Sequence, residues 1–289
     1  MTEAPRVVFQ GEPGAFSEEA VLAYFGEDAP RRAVPTWRAV FEAVASGTDD
    51  AGVVAIESSL AGSIRETYDL LNEFYDAGVR IVGEVSVPVR LALVALPGQS
   101  VEAIQRVYSH AQALAQADTF LRSRDWQVMT TYNTAGAARM IADGRETGSA
   151  AIASPRAAAI YGLEILADNI QSGDENRTRF AVLALAGAGG RAGSGRDDGR
   201  DDGPGKTTLV FAVHNVPGSL NRCLAAFASR GVNLSRLESR PARTARWEYV
   251  FWVDVDADAE DPTCAAAIDA LRSEAQMVRI LGSYPRAED

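Results

Sequence analysis

Residues Gly187–Gly205 read G-A-G-G-R-A-G-S-G-R-D-D-G-R-D-D-G-P-G, with no large apolar side chain among them. Such a stretch buries too little surface to offset the entropy lost on ordering it. The expectation is a flexible tether over 187–205, joining a larger part (residues 1–186) to a smaller one (residues 206–289). At 289 residues the chain is long enough for both to hold cores of their own.

The larger part alternates strand and helix signals. Arg6–Gln10, Gly52–Ile56, Val79–Val87, Arg90–Leu96, Trp126–Thr130 and Ala150–Ala153 read as strands. Trp37, Val40, Phe41 and Val44 form a helical stripe, and Ile64, Tyr68, Leu71 and Tyr75 form a second. Ser17 is placed to cap a helix running to about Phe25. Ala111–Arg122 and Thr134–Asp143 read as further helices. This alternation predicts an α/β architecture with mainly parallel sheets, arranged as two lobes around a cleft. The smaller part reads strand (Thr207–His214), helix (Ser219–Arg230), strand (Asn233–Ser239), strand (Trp247–Val255), helix (Pro262–Glu274), strand (Val278–Ser283). That is the ferredoxin-like βαββαβ order, whose sheet leaves a face or edge on which self-association is expected.

Composition narrows the function. Hydrophobic residues at 47% and charged residues at 23% fit a soluble globular protein. A net charge of -11 argues against nucleic acid and anionic membrane surfaces as partners, because both attract clustered cations. No apolar run is long enough to span a bilayer. The opening M-T-E-A-P-R enters V-V-F without a signal-peptide pattern, so the cytoplasm is expected. Cys223 and Cys264 are the only cysteines and His110 and His214 the only histidines, so neither a disulfide scaffold nor a histidine metal site is expected. Lys206 is the sole lysine, which reads as codon bias.

Asn176–Phe180, N-R-T-R-F, sets the Thr178 hydroxyl between two guanidinium groups. Strand alternation lets Thr178 face a cleft while its neighbours point elsewhere. Taken alone, the pentapeptide reads first as an ordinary strand entry with surface arginines. Ser109 and Gln116 read either as a polar pair facing the cleft from one helix start, with Gln112 between them, or as a helix cap and a solvated glutamine. His110 reads as structural.

The ordered motifs carry more than any one of them. Gly11–Ser17 reads G-E-P-G-A-F-S, Ala55–Ile64 A-I-E-S-S-L-A-G-S-I, and Tyr108–Gln116 Y-S-H-A-Q-A-L-A-Q. Asn133–Ala138 reads N-T-A-G-A-A, and the Ala150–Leu163 run and Asn176–Phe180 follow. This series resembles the prephenate dehydratase family, and Asn215–Leu220 (N-V-P-G-S-L) with Leu237–Pro241 (L-E-S-R-P) resembles the two loops of its ACT domain. The resemblance implies a two-lobed, periplasmic-binding-protein-like α/β catalytic domain followed by a ferredoxin-like ACT domain. It implies decarboxylating dehydration of prephenate to phenylpyruvate without metal or cofactor, or of arogenate to phenylalanine. The wording of GEPGAFS and NTAGAA is similar to the arogenate-active branch.

On this resemblance Thr178 is the catalytic hydroxyl, with Ser109 and Gln116 beside it. Glu57, Ser58, Ser59, Thr134 and Arg179 line the substrate site, with Glu57 alternatively orienting an arginine. Ser58 replaces the family's usual asparagine, and the helix start near Ser59–Ser63 is a place for a carboxylate. L-Phenylalanine as effector is expected between ACT subunits of a homodimer or homotetramer. Asn215, Gly218, Ser219, Leu220, Glu238, Ser239 and Arg240 are the residues expected to hold it. A solute-binding receptor and a non-catalytic cytosolic amino acid sensor are the competing classes.

Overall fold

The computed structural model describes residues 4–173, 175–187, 205–241 and 249–287. The run expected to be a tether lies outside the described residues except at its two ends, as does Trp247.

The first lobe is built from β1 (Val7–Gln10), α1 (Phe16–Phe25), β2 (Arg31–Val34), α2 (Trp37–Ala45), β3 (Ala51–Ser58), β4 (Gly62–Ser63), α3 (Arg65–Glu73) and β5 (Val79–Pro88). The chain crosses to a second lobe of β6 (Ala92–Ala95), β7 (Arg106–His110), α4 (Ala111–Gln116), α5 (Asp118–Leu121), β8 (Gln127–Thr131), α6 (Thr134–Gly144), β9 (Ser149–Ala153), α7 (Pro155–Tyr161) and β10 (Glu164–Ala167). It then returns as β11 (Arg177–Leu185) to the first lobe. Two crossings between two α/β lobes are the layout of a periplasmic-binding-protein-like fold.

The first sheet runs β2-β1-β3-β11-β5, with β4 on β3; the second runs β10-β6-β9-β7-β8. Neither is mainly parallel, contrary to expectation. β1 is parallel to β2 and β3, but β11 is antiparallel to both β3 and β5. The cause is topological: β11 arrives from the other lobe and slots between strands already laid down. β6 likewise enters the second sheet antiparallel to β9.

Local chemistry sets these elements. Thr36 caps α2, its Oγ1 accepting from the Ala39 amide at 3.1 Å, and the predicted stripe of Val40, Phe41 and Val44 is buried. A Cβ at Gly52 of β3 would meet Val40 Cγ1 at 2.7 Å, so glycine lets this helix lie close on the sheet. Ser154 caps α7 and Gly162, at φ 63°, ends it. Ser17, in contrast, is no cap: it lies inside α1, and the Glu18 carboxylate takes the Gly14 amide at 2.7 Å instead. The helix expected over Ala111–Arg122 breaks at Ala117 into α4 and α5.

The C-terminal part comprises β12 (Gly205–Ala212), α8 (Ser219–Ala228), β13 (Leu234–Pro241), β14 (Tyr249–Val255), α9 (Pro262–Glu274) and β15 (Met277–Pro285). This is the βαββαβ order expected, in a sheet ordered β13-β14-β12-β15. α8 and α9 cover one face, where Cys223 and Cys264 are buried, unbonded core residues. The other face is not open to a partner. Val210, Trp252, Leu281 and Tyr284 share one core with Phe41, Tyr68 and Leu71 of the first lobe, and the Tyr68 and Trp252 rings meet edge-on at 5.1 Å. Burial of this size welds the two units together.

Candidate active site

β11 organises the site. Phe180, Val182 and Ala184 pack on the α1 side of the first sheet, while Ala181 and Leu183 pack on the side shared with the C-terminal unit. Alternation therefore turns Thr178 toward α1 and turns Arg177 and Arg179 toward the C-terminal unit. Thr178 is half-buried, pairs across the sheet with Ser58 and Val87, and has no hydrogen-bond partner for its hydroxyl among the described residues. Phe16 packs against the cores of both lobes from that same side, so Thr178 looks toward the lobe junction.

The partners expected from the second lobe divide. The Gln116 side chain reaches the start of β11, its Oε1 accepting from Asn176 Nδ2 at 3.0 Å. Ser109 does not share a helix with it: it is the next-to-last residue of β7, fully buried, with its Oγ donating to the Ile152 carbonyl at 2.6 Å. His110 supplies the cap of α4, Nδ1 accepting from the Gln112 amide at 3.3 Å, and burial pushes its imidazole pKa down. Thr134 is half-buried at the first position of α6; Asn133, not Thr134, caps that helix through the Gly136 amide.

Ser58 and Ser59 turn out to be turn builders. Ser58 is 1% exposed and its Oγ faces the Leu60 and Ala61 amides at 3.4 and 3.3 Å. Ser59 donates to the Glu175 carbonyl at 2.9 Å and accepts from the Arg177 amide at 3.0 Å, fastening the entry of β11. The helix start expected at Ser59–Ser63 is instead a reversal through Gly62 (φ 73°) into β4, and α3 begins only at Arg65.

Arg179 and Glu57 lie on the opposite face from Thr178. Arg179 Nη2 meets Glu57 Oε2 at 2.5 Å and Asp254 Oδ2 at 3.3 Å, while Nη1 reaches Glu84 Oε2 at 3.5 Å. Burial lowers the Arg179 pKa, but Asp254, Glu84 and Glu57 outweigh it and hold the guanidinium charged. The Lys206 ammonium is 3.1 Å from Glu84 and 3.6 Å from Asp254, in a side chain only 3% exposed. The sole lysine is thus a buried member of the junction. A cavity of about 270 Å³ beside this cluster is lined by Glu57, Ser59, Ser86, Arg177, Lys206 and Arg286, among others, but not by Thr178.

The lobes touch behind the site. A Cβ at Gly14, φ 87°, would meet Ala157 Cα at 2.7 Å, so the G-E-P-G turn lies directly on α7. Ser154 Oγ donates to the Gly14 carbonyl at 2.8 Å and Tyr161 to the Pro13 carbonyl at 2.9 Å. Glu18 joins both lobes through Arg31 (2.8 Å) and Arg156 (3.4 Å). Burial raises its carboxyl pKa, but hydrogen bonds from Arg31 and Gly14 bring it below the ordinary value. Its neighbour Glu19 is pushed up to about 7 by burial, against the opposing pull of Ser154 and Arg156.

In the C-terminal unit Asn215 and Gly218 lie in an exposed loop, Ser219 is buried at the start of α8, and Leu220 is half-buried. Ala212 and Arg240 both align with Val250 of the strand between them, so the two motifs sit at one end of the sheet, one strand apart. Glu238 and Arg240 turn to the first lobe instead. Glu238 Oε2 accepts from Ser63 Oγ at 2.6 Å, and Arg240 Nη2 meets Asp69 at 3.2 Å. Ser239 is exposed on the other side of β13.

These features define the class: a two-lobed α/β unit with a hydroxyl at its crossing strand, welded to a ferredoxin-like unit with an exposed loop. Residues 7–187 match the family described as prephenate dehydratase, and residues 207–273 match the ACT domain family. A bifunctional chorismate mutase/prephenate dehydratase of Aquifex aeolicus is 35% identical over 98% of this chain and 74% of its own length. An arogenate dehydratase/prephenate dehydratase of Arabidopsis thaliana is 39% identical over 97% of this chain and 72% of its own. Among solved structures, a prephenate dehydratase of Arthrobacter aurescens in complex with L-Phe is 32% identical, with a TM-score of 0.83 over 97% of this chain and 90% of that one. GqqA, described as a quorum quenching acylase, is 33% identical with the same TM-score over 97% and 98%. The chain belongs to the prephenate dehydratase family.

Proposed function

We propose that this chain converts prephenate to phenylpyruvate in the crevice faced by Thr178, and that its ACT unit binds L-phenylalanine as an inhibitor. The carrying observation is the Thr178 hydroxyl, without a partner among the described residues, at the lobe crossing of a chain in this family. Cleavage of the ring carboxylate as CO₂ releases an electron pair into the ring; the pair expels the ring hydroxyl, and the ring becomes aromatic. The leaving oxygen gains negative charge as its bond breaks. A fixed hydroxyl donor beside it stabilises that charge, and Thr178 is assigned that role with Gln116 as its neighbour.

Prephenate is favoured over arogenate by charge. The ammonium group of arogenate calls for a carboxylate. The two carboxylates of the three central strands β3, β11 and β5 are Glu57 and Glu84, and both engage Arg179 on the far face. Arg179 and Glu57 accordingly hold the ACT unit rather than substrate in this reading, with Glu57 as the arginine's partner. Ser58 and Ser59 shape the site through the turn they build.

The effector is assigned to the exposed Asn215–Gly218 loop and the start of α8, where Ser219 and Leu220 lie, with Ser239 from β13. Glu238 and Arg240 transmit by holding the first lobe. A homodimer or homotetramer joined through ACT edges, acting in the cytoplasm, completes the reading, with 187–205 as linker between units 1–186 and 206–289. An acylase needs an activated nucleophile; His110 is committed to its helix cap and gives no support to that alternative.

The test is turnover. Purified protein is incubated with prephenate, with arogenate and with an N-acyl amide, with and without L-phenylalanine, and the aromatic or amine product followed. Prephenate should be consumed and phenylalanine should inhibit. No aromatic product from prephenate overturns the reading.

A further inference from the structure

Asn176, two residues before Thr178, has no role in the reaction proposed for this chain. Its carbonyl accepts from the Val89 amide at 2.7 Å, which extends the β11–β5 ladder one residue beyond the Arg177–Pro88 pair. Alternation then turns its side chain to the same side as Thr178. It is 3% exposed. Its Nδ2 donates to Gln116 Oε1 at 3.0 Å, and its own Oδ1 is buried with no partner among the described residues. Gln116, 9% exposed, is also held through its backbone, its carbonyl accepting from the Ser172 amide at 2.7 Å. The segment that returns from the second lobe therefore grips Gln116 at main chain and side chain together.

This grip decides what Gln116 offers. With Oε1 occupied, the atom left for a ligand is Nε2, a donor. Were both amides turned over, Gln116 would give its proton to Asn176 and present Oε1, an acceptor. An oxygen leaving with negative charge needs the donor. We propose that Asn176 is a positioning residue that locks the Gln116 side-chain amide with Nε2–H facing the Thr178 crevice, so that two neutral donors, one from each lobe, meet at the departing hydroxyl. The inference rests on the reaction assigned under the proposed function and deepens it.

Two variants test it, each against wild type on prephenate. Asn176→Leu keeps the shape, removes the donor to Gln116 Oε1 and frees the Gln116 side chain. It should lower kcat on the order of 10²-fold and leave KM within about twofold. In a Gln116→Ala background the same change should cost nothing further, because Asn176 acts only through Gln116. Asn176→Asp reverses the hydrogen bond when ionised, turning Gln116 Oε1 outward. When protonated, its O–H can again donate to Oε1. Its kcat should therefore be low at high pH and recover as pH falls, a limb absent from wild type.

A loss from Asn176→Leu that is equally large without Gln116, or an Asn176→Asp pH profile matching wild type, overturns the inference. If Asn176→Leu fails to fold, the Asn176→Asp profile decides. If wild type itself leaves prephenate unchanged, the proposed function falls and this inference with it. An active wild type with indifferent variants removes this inference alone.

Discussion

Strand β11 carries two unlike surfaces one residue apart. On the α1 side stand Asn176 and Thr178, neutral, hydrogen-bonding groups, with Gln116 bonded to Asn176. On the other side stand Arg177 and Arg179, and Arg179 meets three carboxylates and shares two of them with a buried lysine. The neutral side can answer charge that appears only during a reaction, because nothing permanent there competes for it. The charged side is already satisfied by its own partners, so it has little left for a substrate and serves instead to hold two folded units in register. One strand thus keeps its neutral and its charged groups apart by alternation alone.

The comparison can be broken first on the docking side. Lys206→Met leaves Glu84 and Asp254 with Arg179 as their remaining cation. Breaking a buried ionic network from one side costs about 3–5 kcal/mol, which urea unfolding would measure as a fall in midpoint. Adding Glu84→Gln should return part of the loss; an unchanged midpoint in the single variant would mean the network holds nothing together.

On the neutral side the expected effect is on rate. Thr178→Ala should lower kcat on the order of 10²–10³-fold, with stability within about 1 kcal/mol of wild type, and Thr178→Ser should keep most of the activity. Near-normal kcat in the alanine variant would end the assignment of the leaving-group donor.

The smallest effect sharpens the contrast between a partnered and an underpaired carboxyl. Glu19 sits at the lobe contact with a carboxyl pushed up to about 7 from 4.5. Between those values the folded protein holds a proton that the unfolded chain has released, so stability falls as pH rises through that window and stays lowered above it. The loss should be about 1–3 kcal/mol. Glu19→Gln should flatten that part of a Tm-against-pH curve and raise the Tm at pH 8; a slope as steep as wild type would mean the carboxyl is solvated.

Much of the fold was legible because it depends on local pattern. The stripe of α2 and the bounds of α9 follow from side chains a few residues apart, and the βαββαβ order from their succession. β2 was not legible: R-R-A-V reads as polar, yet it is an edge strand whose arginines reach Glu18 and Asp49 from other elements. Nor was the helix break at Ala117, which nothing in A-Q-A-D announces. In the site, the Glu57–Arg179 partnership was legible. The helix cap read at Ser109 falls instead to His110, one residue further on, while Thr134 opens α6 as expected, with Asn133 as its cap. Asn176 and Lys206 went unused, since the significance of each lies in a partner 60 or 48 and more positions away.

The chain's order of residues determined which side chains share a face: Thr178 with Asn176, Arg177 with Arg179, since a strand alternates wherever it lies. It also carried the family's series of motifs. Only the tertiary structure decided which face met the lobe junction and which met the ACT sheet. That choice depends on where β11 enters a sheet formed by distant strands and on the apolar surface of Trp252 and Tyr284 buried against the first lobe, contacts that no local window contains.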